Sequence, residues 1–212
     1  LQALNADNMK ALETSVLSAT QIGGLSASNI GALSTTQIEG LTTTQLAGLT
    51  AANAAGLTST QIGALTTADL VVIKPISIVG LRTAALANIS TTNISALTAA
   101  QIAVLTTAQL AGLQTSQIAA LLTSQVAALT AAQIKSLSSA NAAALTTMQT
   151  AALTGTQSAG WNSSNIAALT VMQIQGLSTA QVAALTAAQV KGLNTAQVAA
   201  LETADLKVMS VA

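Results

Sequence analysis

Hydroxyl and amide side chains, repeated at a fixed spacing, are the groups of this sequence that could take part in chemistry. A Ser or Thr is followed three residues later by Gln or Asn many times, as in Thr42 and Gln45. A hydroxyl acts as a nucleophile only beside a general base, yet the chain has no His or Cys, its six carboxylates are scattered, and no serine is expected to adjoin a base. Metal sites need clusters of His, Cys and carboxylate side chains. We therefore expect a non-enzymatic protein with no catalytic residue, cofactor or metal site.

The spacing of these side chains follows an eight-residue repeat. From Leu17 to Val208 the sequence aligns as 24 octads without insertion or deletion. Position 1 is Leu, Ile or Trp in all 24 octads, position 2 is Ser or Thr in 17, and position 5 is Gln or Asn in 20. Position 6 is Leu, Ile or Val in 20 octads, and position 8 is Gly or Ala in 19. The consensus is L-[ST]-x-x-Q-[IV]-x-[AG].

Positions 2 and 5 have the offset of a helix capping box. The hydroxyl accepts a hydrogen bond from the backbone N–H three residues later, and the Gln side chain accepts one from the N–H of the cap residue. The Leu at position 1 packs on the aliphatic residue at position 6 as a hydrophobic staple. Each octad is therefore predicted to form one very short helix. The capping pairs singled out are Ser18 and Gln21, Thr42 and Gln45, Thr98 and Gln101, and Ser178 and Gln181.

Helices this short need neighbours to be stable. Isolated helices are marginal below about 12 to 15 residues, so single octads should fold only against flanking octads. One continuous helix is excluded. Eight residues rotate by about 80° more than two full helical turns, so successive Leu residues would wind around the helix and form no apolar face. The predicted fold is an all-α repeat solenoid of very short capped helices, one per octad, stacked into a rod or superhelix. A β-solenoid is the disfavoured alternative, because positions 1 and 6 lie on opposite faces of a strand.

The pattern does not fix how many octads make one superhelical turn. In the last six octads position 8 alternates between Gly and Ala, from Gly160 to Ala200, which suggests a two-helix unit of 16 residues. Ala occupies position 8 about as often as Gly and resists a positive φ. We therefore expect close approach of neighbouring backbones, rather than a left-handed helix end, to be the reason for small residues there.

The array divides the chain into three parts. Residues 17–208 form the octad solenoid, residues 1–16 are an out-of-register cap or divergent repeats, and residues 209–212 are the C-terminal end. Charged residues gather near both ends, where they are either contact points between protomers or solvated caps. They are Asp7, Lys10, Glu13, Glu202, Asp205 and Lys207.

Two local departures from the consensus are candidate interaction sites. Residues 71–80, VVIKPISIVG, are richer in aliphatic side chains, and Pro75 falls at the predicted first helical position, where proline is tolerated. This segment is either an apolar docking patch or a better-packed part of the core. Trp161 occupies a Leu position and is either a platform for a partner or a volume replacement for the small residues Thr150 and Ser158. The candidate interface residues are Val71, Val72, Ile76, Val79 and Trp161.

Composition limits the partners that this chain can bind. Six basic and six acidic residues give zero net charge, and no cluster of Lys and Arg is present to bind the phosphates of a nucleic acid. The mean hydropathy is +0.62, but every octad contains polar residues and no run of about 20 apolar residues exists to insert into a membrane. Copies of a neutral, charge-poor surface repel each other weakly. The expected partner is therefore the chain itself, as a homo-oligomer or filament, with no small-molecule substrate.

The run LTAAQVKGLNTAQVAAL, residues 185–201, resembles the octapeptide arrays of large secreted, adhesin-like bacterial surface proteins. The resemblance extends over nearly the whole chain and implies structural or adhesive use, with no active residues. We hypothesise an extracellular or cell-surface structural protein that self-associates into a stalk, sheath or filament. Two alternatives stay open: an ice-binding protein with a Thr and Ala surface, and a spacer or binding solenoid within a giant adhesin.

Overall fold

The computed structural model describes residues 3–209, and all regular structure in this range is helical. Within it the chain forms 25 α-helices of four to six residues, one 3-10 turn at Thr14–Val16, and no strand. The prediction of an all-α fold of short helices is confirmed. The helices are α1 (Ala6–Lys10), α2 (Ala19–Gly23), α3 (Ala27–Ala32), α4 (Thr35–Glu39), α5 (Thr43–Leu46), α6 (Ala51–Ala54), α7 (Ser59–Ala64), α8 (Thr67–Val72), α9 (Pro75–Ile78), α10 (Thr83–Leu86), α11 (Thr91–Ala96), α12 (Ala99–Ala103), α13 (Thr107–Ala111), α14 (Thr115–Ala120), α15 (Thr123–Ala127), α16 (Ala131–Ser136), α17 (Ser139–Ala144), α18 (Thr147–Ala151), α19 (Gly155–Ser158), α20 (Ser163–Ala168), α21 (Val171–Gln175), α22 (Thr179–Ala183), α23 (Ala187–Val190), α24 (Thr195–Ala199) and α25 (Thr203–Val208).

Each octad forms one helix because its position-2 residue leaves the helical conformation, and in most octads the side chain of this residue caps the helix that follows. Thr42 has extended backbone angles, φ −70° and ψ 157°, and its hydroxyl accepts from the N–H of Gln45. The chain becomes extended again at the next position-1 residue, as at Leu65 after α7, where φ is −68° and ψ is 139°. One helix therefore occupies four to six residues of each octad, and the rest turns the chain into the next helix.

Two compact units divide the chain, Leu1–Gly112 and Leu113–Ala212, and both are built in the same way. In each unit a helix packs against the third helix further along, for example α5 on α2 and α20 on α17. One turn of the solenoid therefore contains three octads, or 24 residues. The two-helix unit suggested by the alternation of Gly and Ala is wrong.

Packing on the third helix arranges each unit in three columns of helices. In the first unit the columns are α1, α3, α6, α9 and α12; α2, α5, α8 and α11; and α4, α7, α10 and α13. In the second unit they are α14, α17, α20 and α23; α15, α18, α21 and α24; and α16, α19, α22 and α25.

The register slip near the start of the chain is absorbed in the first turn. Leu12 and Leu17 are five residues apart instead of eight, and the 3-10 turn Thr14–Val16 takes the place of a helix. Gln37 Nε2 donates to the carbonyl oxygen of Leu12 at 2.8 Å, over 25 residues, whereas the matching bond in later turns spans 28. The bond spans three residues fewer because the octad that begins at Leu12 is three residues shorter than the others.

Positions 1 and 6 supply the core of both units. The position-1 side chain is buried in every octad from Leu17 onward except that of Leu193, and the position-6 side chain is buried in every octad except the last three. Full burial of a Leu, Ile or Val side chain stabilises the fold by about 1.5–3 kcal/mol, and a helix cap by about 1 kcal/mol. Packing between turns therefore contributes more to stability than the caps that start the helices.

Small residues at position 8 let successive turns approach each other closely. A Cβ added to Gly56 would lie 1.9 Å from the carbonyl oxygen of Ala27, and one added to Gly80 would lie 1.9 Å from that of Ala51. No residue in the described part of the chain has a positive φ. Close backbone approach, as predicted, is the reason for small residues at this position.

Candidate functional site

The polar side chains of the repeat meet at the N-termini of the helices, where the predicted capping pairs lie. The N–H of Gln21 donates to Ser18 Oγ at 3.2 Å, and the N–H of Ser18 donates to Gln21 Oε1 at 2.8 Å. These bonds satisfy two of the backbone donors that a helix N-terminus leaves open. The same two reciprocal bonds join Thr42 and Gln45, Thr98 and Gln101, and Ser178 and Gln181.

The glutamine amide makes further bonds that a capping box does not require. Gln45 Nε2 donates to the carbonyl oxygens of Leu17 at 2.7 Å and Thr14 at 2.8 Å, which lie 28 and 31 residues earlier. The Leu17 carbonyl belongs to the octad one turn before. Gln45 Oε1 therefore binds the start of its own helix while its Nε2 binds the preceding turn. An amide suits this place because it has an acceptor oxygen and a donor nitrogen, whereas an ionised carboxylate can only accept.

The bond over 28 residues recurs through both units and forms what we call the amide ladder. Each rung runs from a position-5 amide to the carbonyl oxygen of the position-1 residue three octads earlier, with donor–acceptor distances of 2.5 to 3.0 Å. Most of these amides are buried, where an unsatisfied polar group is costly. In the first unit the rungs join Gln45 to Leu17, Gln61 to Leu33, Asn93 to Leu65, Gln101 to Ile73, and Gln109 to Leu81. In the second they join Asn141 to Leu113, Gln149 to Leu121, Gln157 to Leu129, Asn165 to Leu137, Gln173 to Leu145, Gln181 to Leu153, Gln189 to Trp161, and Gln197 to Leu169.

Four octads lack an amide at position 5, and two of these position-5 residues, Asp69 and Ser77, show how the ladder changes. Asp69 Oδ2 accepts from the N–H of Thr66 at 2.9 Å, so it caps its helix, but as a carboxylate it has no hydrogen to donate to the preceding turn. Ser77 Oγ donates to the carbonyl oxygen of Leu49 at 2.7 Å and thus replaces a rung without an amide. The sequence analysis missed Ser77; its place at position 5 of an octad is the signal that identifies it.

The segment at residues 71–80 interrupts the capping pattern. Pro75 is the first residue of α9, as predicted, and its N-cap residue Lys74 makes no side-chain capping bond. Arg82, the N-cap residue of α10, makes none either. Two successive helices in the first unit therefore begin without a capping side chain.

The predicted interface side chains of this segment lie at the surface to different degrees. Ile76 is 66% exposed and Val71 is 39% exposed, while Val72 and Val79 are half-buried. Their aliphatic side chains are thus at least partly available to a partner. Their role as an interface stays a prediction.

Trp161 lies in the core and is not available as an interface residue. Its side chain is 3% exposed because position 1 points inward in every turn. Thr150 and Ser158, which replace aliphatic residues at position 6, are fully buried as well. The burial of one larger and two smaller residues fits the interpretation that their volumes compensate. Ser158 Oγ and Trp161 Nε1 are buried without a hydrogen-bond partner among the described residues.

One serine has a carboxylate beside it, contrary to the expectation from the sequence. Ser15 Oγ donates to Glu13 Oε1 at 2.6 Å. Both side chains are exposed and line an open groove of about 300 Å³ together with Lys10. A solvated carboxylate is a weak base for a hydroxyl. The bond joins the residue before the 3-10 turn to the middle residue of that turn.

A second open groove, of about 610 Å³, lies on the first unit. Small residues such as Ala19, Gly23, Gly24 and Gly48 line it, and Lys74 is its charged group. These residues bring no acid and base together. Within residues 3–209 no three His, Cys, Asp or Glu side chains are close enough to hold a metal ion. No helix in that range has the length and apolarity needed to cross a membrane.

Part of the second unit matches a known repeat family. Residues 162–195 match the ALTTAQ repeat family. The matched stretch covers about four octads of the second unit. A comparison with curated proteins finds no match to this chain. The match supports a repeat array.

Proposed function

We propose that this chain is a non-enzymatic structural repeat protein that works outside the cell, at a bacterial cell surface, and self-associates into a stalk, sheath or filament. The observation that carries the proposal is the amide ladder, because within each unit successive turns are bonded to each other by the same groups. Length can then be added without new contacts of a different kind. The polar groups that recur most often serve the fold itself.

The surface supports the same conclusion. The chain has six basic and six acidic residues in 212, so electrostatic repulsion between copies is weak. Position-2 hydroxyls such as that of Thr106 accept backbone N–H groups at the helix starts. Because these regularly spaced hydroxyls are engaged in capping, a structural function fits the chain better than ice binding.

Light scattering and electron microscopy of the purified 212-residue protein test self-association. We expect particles larger than a monomer that grow with protein concentration. A variant with Glu at four exposed position-4 sites adds repulsion between copies while staying compatible with helix N-termini, so it should remain monomeric. Monodisperse monomers of the natural sequence at high concentration would refute self-association. The four sites are Thr36, Thr44, Thr60 and Ala108.

Labelling of intact cells tests the proposed location. An antibody against the purified protein should bind intact cells of the producing organism, and brief protease treatment of those cells should remove the signal. A cytosolic marker protein serves as the control and should keep its signal under the same treatment. Signal that appears only after the cells are lysed would count against an extracellular function.

A further inference from the structure

Exposed apolar side chains of the second unit gather on one of its three columns of helices. Met148 is 74% exposed, Met172 is 67%, Leu122 is 52% and Val171 is 39%. Leu122 is the N-cap residue of α15, Met148 lies in α18, and the other two lie in α21. Between residues 113 and 192 no other large apolar side chain is exposed. We call these four side chains the methionine stripe.

The methionine stripe lies on the side of the solenoid and not at an end. Helix α18 packs between α15 and α21, and α21 packs between α18 and α24. Met148 and Met172 both occupy position 4, three octads apart, so they hold the same place on successive turns. Both helices already have a neighbour on either side, and further turns at the ends of the array would leave these side chains exposed.

The other two columns of the second unit carry no such side chains at position 4. The residues there are Ser, Thr or Ala, so the helix itself does not require methionine at this place. A contiguous exposed apolar patch on a protein surface marks a site of interaction. These position-4 residues are Ser116, Ala140, Ser164 and Ala188 on one column, and Ala132, Thr156, Ala180 and Ala204 on the other.

Charge and composition decide between a lipid surface and a protein partner. The octads that carry the stripe, residues 121–128, 145–152 and 169–176, contain no charged residue. Proteins that lie on a membrane surface commonly place Lys, Arg or Trp beside their apolar groups. The chain has no Tyr or Phe, and Trp161 is buried. The stripe therefore lacks the groups that would hold it at a lipid headgroup layer, and it does not repel a second uncharged surface.

The spacing of the stripe points to a second copy of the same chain. Met148 and Met172 are separated by the rise of one turn, so a partner that buries both must present apolar groups at that same spacing. The stripe of a second copy has this spacing because it has the same turns. Methionine side chains are flexible and adapt to each other across such a contact.

We propose that the methionine stripe binds the methionine stripe of a second copy of this chain, which joins two solenoids side by side. The proposal rests on the proposed self-association and specifies its contact. A twofold axis along the column pairs Met148 with Met148 of the second copy, and a twofold axis across it pairs Met148 with Met172. Either contact is isologous, because both copies use the same surface.

Glutamate substitutions test this contact. Met148→Glu with Met172→Glu should raise the dissociation constant between copies more than about 100-fold in analytical ultracentrifugation, because carboxylates would be buried against apolar groups. The matched control is Ala140→Glu with Ser164→Glu, which adds the same charge at exposed position-4 sites of the neighbouring column. It should change the dissociation constant by less than about threefold.

A conservative variant and a measurement of folding complete the comparison. Met148→Leu with Met172→Leu keeps apolar side chains at both sites and should keep the association. Circular dichroism at 222 nm and the urea midpoint should be the same for all three variants, because the substituted side chains are exposed. A loss of association in the glutamate variant is then a property of the surface.

Cysteine variants identify the pairing. The natural sequence has no Cys, so every disulfide reports on an introduced residue. With the axis along the column, Met148→Cys chains should form covalent dimers by themselves. With the axis across it, covalent dimers should form when Met148→Cys and Met172→Cys chains are mixed. Ala140→Cys, on the neighbouring column, is the control and should give no dimer.

The outcomes separate this proposal from the proposed function. Equal dissociation constants for the two glutamate variants, or no disulfide from either cysteine experiment, overturn the stripe contact. If the protein still forms large particles, self-association stands. Monomers of the natural sequence at high concentration overturn both proposals. Binding to phosphatidylcholine vesicles that Met148→Glu with Met172→Glu abolishes, without any disulfide between copies, would assign the stripe to a lipid surface and overturn the contact between copies.

Discussion

Glutamine at position 5 bonds two parts of the chain that are far apart in sequence. At Gln109, Oε1 accepts from the N–H of Thr106 at 2.8 Å, while Nε2 donates to the carbonyl oxygens of Ile78 and Leu81 at 3.0 and 2.7 Å. The side chain is 3% exposed. Its amide orientation follows from its partners, since the oxygen faces a donor and the nitrogen faces acceptors.

Gln109→Glu separates the two functions of this side chain. A carboxylate keeps the capping bond to Thr106, but it has no hydrogen for the carbonyl oxygens of the preceding turn and is repelled by them. We expect the free energy of unfolding to fall by about 2–4 kcal/mol at neutral pH, measured by urea denaturation. The deficit should shrink as the pH falls towards about 4, because a protonated carboxyl can donate again.

Gln21→Glu is the matched control for this substitution. Gln21 makes the same capping bond to Ser18, but it is exposed and its Nε2 binds nothing in the described chain. The change should therefore alter the free energy of unfolding by less than about 0.5 kcal/mol. Equal losses at the two positions would show that the bonds between turns contribute nothing.

The capping half of this network was predictable from the sequence, whereas the half between turns was not. A hydroxyl and an amide three residues apart specify a local geometry, so Thr42 and Gln45 predict their own helix start. The partner of Gln45 Nε2 is a backbone carbonyl, and position-1 carbonyls recur every eight residues. Solenoids with two, three or four octads per turn would all place a position-1 carbonyl next to the same amide. The pattern therefore leaves open which carbonyl is bonded.

At the scale of the helix, the distance between turns depends on which position-8 residues lack a side chain. A Cβ on Gly56 would meet the Ala27 carbonyl oxygen at 1.9 Å. Gly56→Ala should lower the free energy of unfolding by about 1–3 kcal/mol, because backbone has to move to make room. Gly63, inside α7, is the control, since its Cβ would lie 3.6 Å from the nearest atom, the carbonyl oxygen of Asn88.

Gly63→Ala should stabilise the protein by about 0.5–1 kcal/mol, because alanine loses less backbone entropy in a helix than glycine. Thermal and urea unfolding of both variants measure the contrast. A loss at Gly63 as large as at Gly56 would show that helix geometry, and not contact between turns, limits these sites.

The core around α19 and α20 offers a test of volume exchange between neighbouring octads. Trp161→Leu alone leaves a cavity, and Ser158→Ile alone overfills the core, so each should cost about 1–3 kcal/mol. The two together restore the consensus and remove the two buried polar atoms that have no partner. We expect a favourable coupling of at least about 1 kcal/mol in a double-mutant cycle. Additive losses would mean that the two side chains do not share the same space.

At the scale of the whole molecule, repetition explains why fold class was predictable and the division into units was not. Leu, Ile and Val at positions 1 and 6 specify a continuous core in any solenoid of these octads. The octad before the boundary between Gly112 and Leu113 keeps the consensus, and the two octads after it depart from it at position 2, where Gln114 and Leu122 replace Ser or Thr. The same loss of the capping hydroxyl occurs inside the first unit at Lys74 and Arg82, so it does not by itself mark a boundary.

Removal of one complete turn tests whether turns are equivalent. Deletion of residues 145–168 takes out three octads, including those of Thr150, Ser158 and Trp161, and lets Gln173 replace Gln149 as the donor to the Leu121 carbonyl oxygen. We expect the ellipticity per residue at 222 nm to stay unchanged and unfolding to remain cooperative.

Deletion of residues 145–164 is the control. It removes the same tryptophan but shifts the octad phase by four residues, so polar side chains would enter the core. It should lower both helicity and the urea midpoint, because burial of unpaired polar groups is unfavourable. Equal stability of the two deletions would show that the eight-residue phase does not hold the turns together.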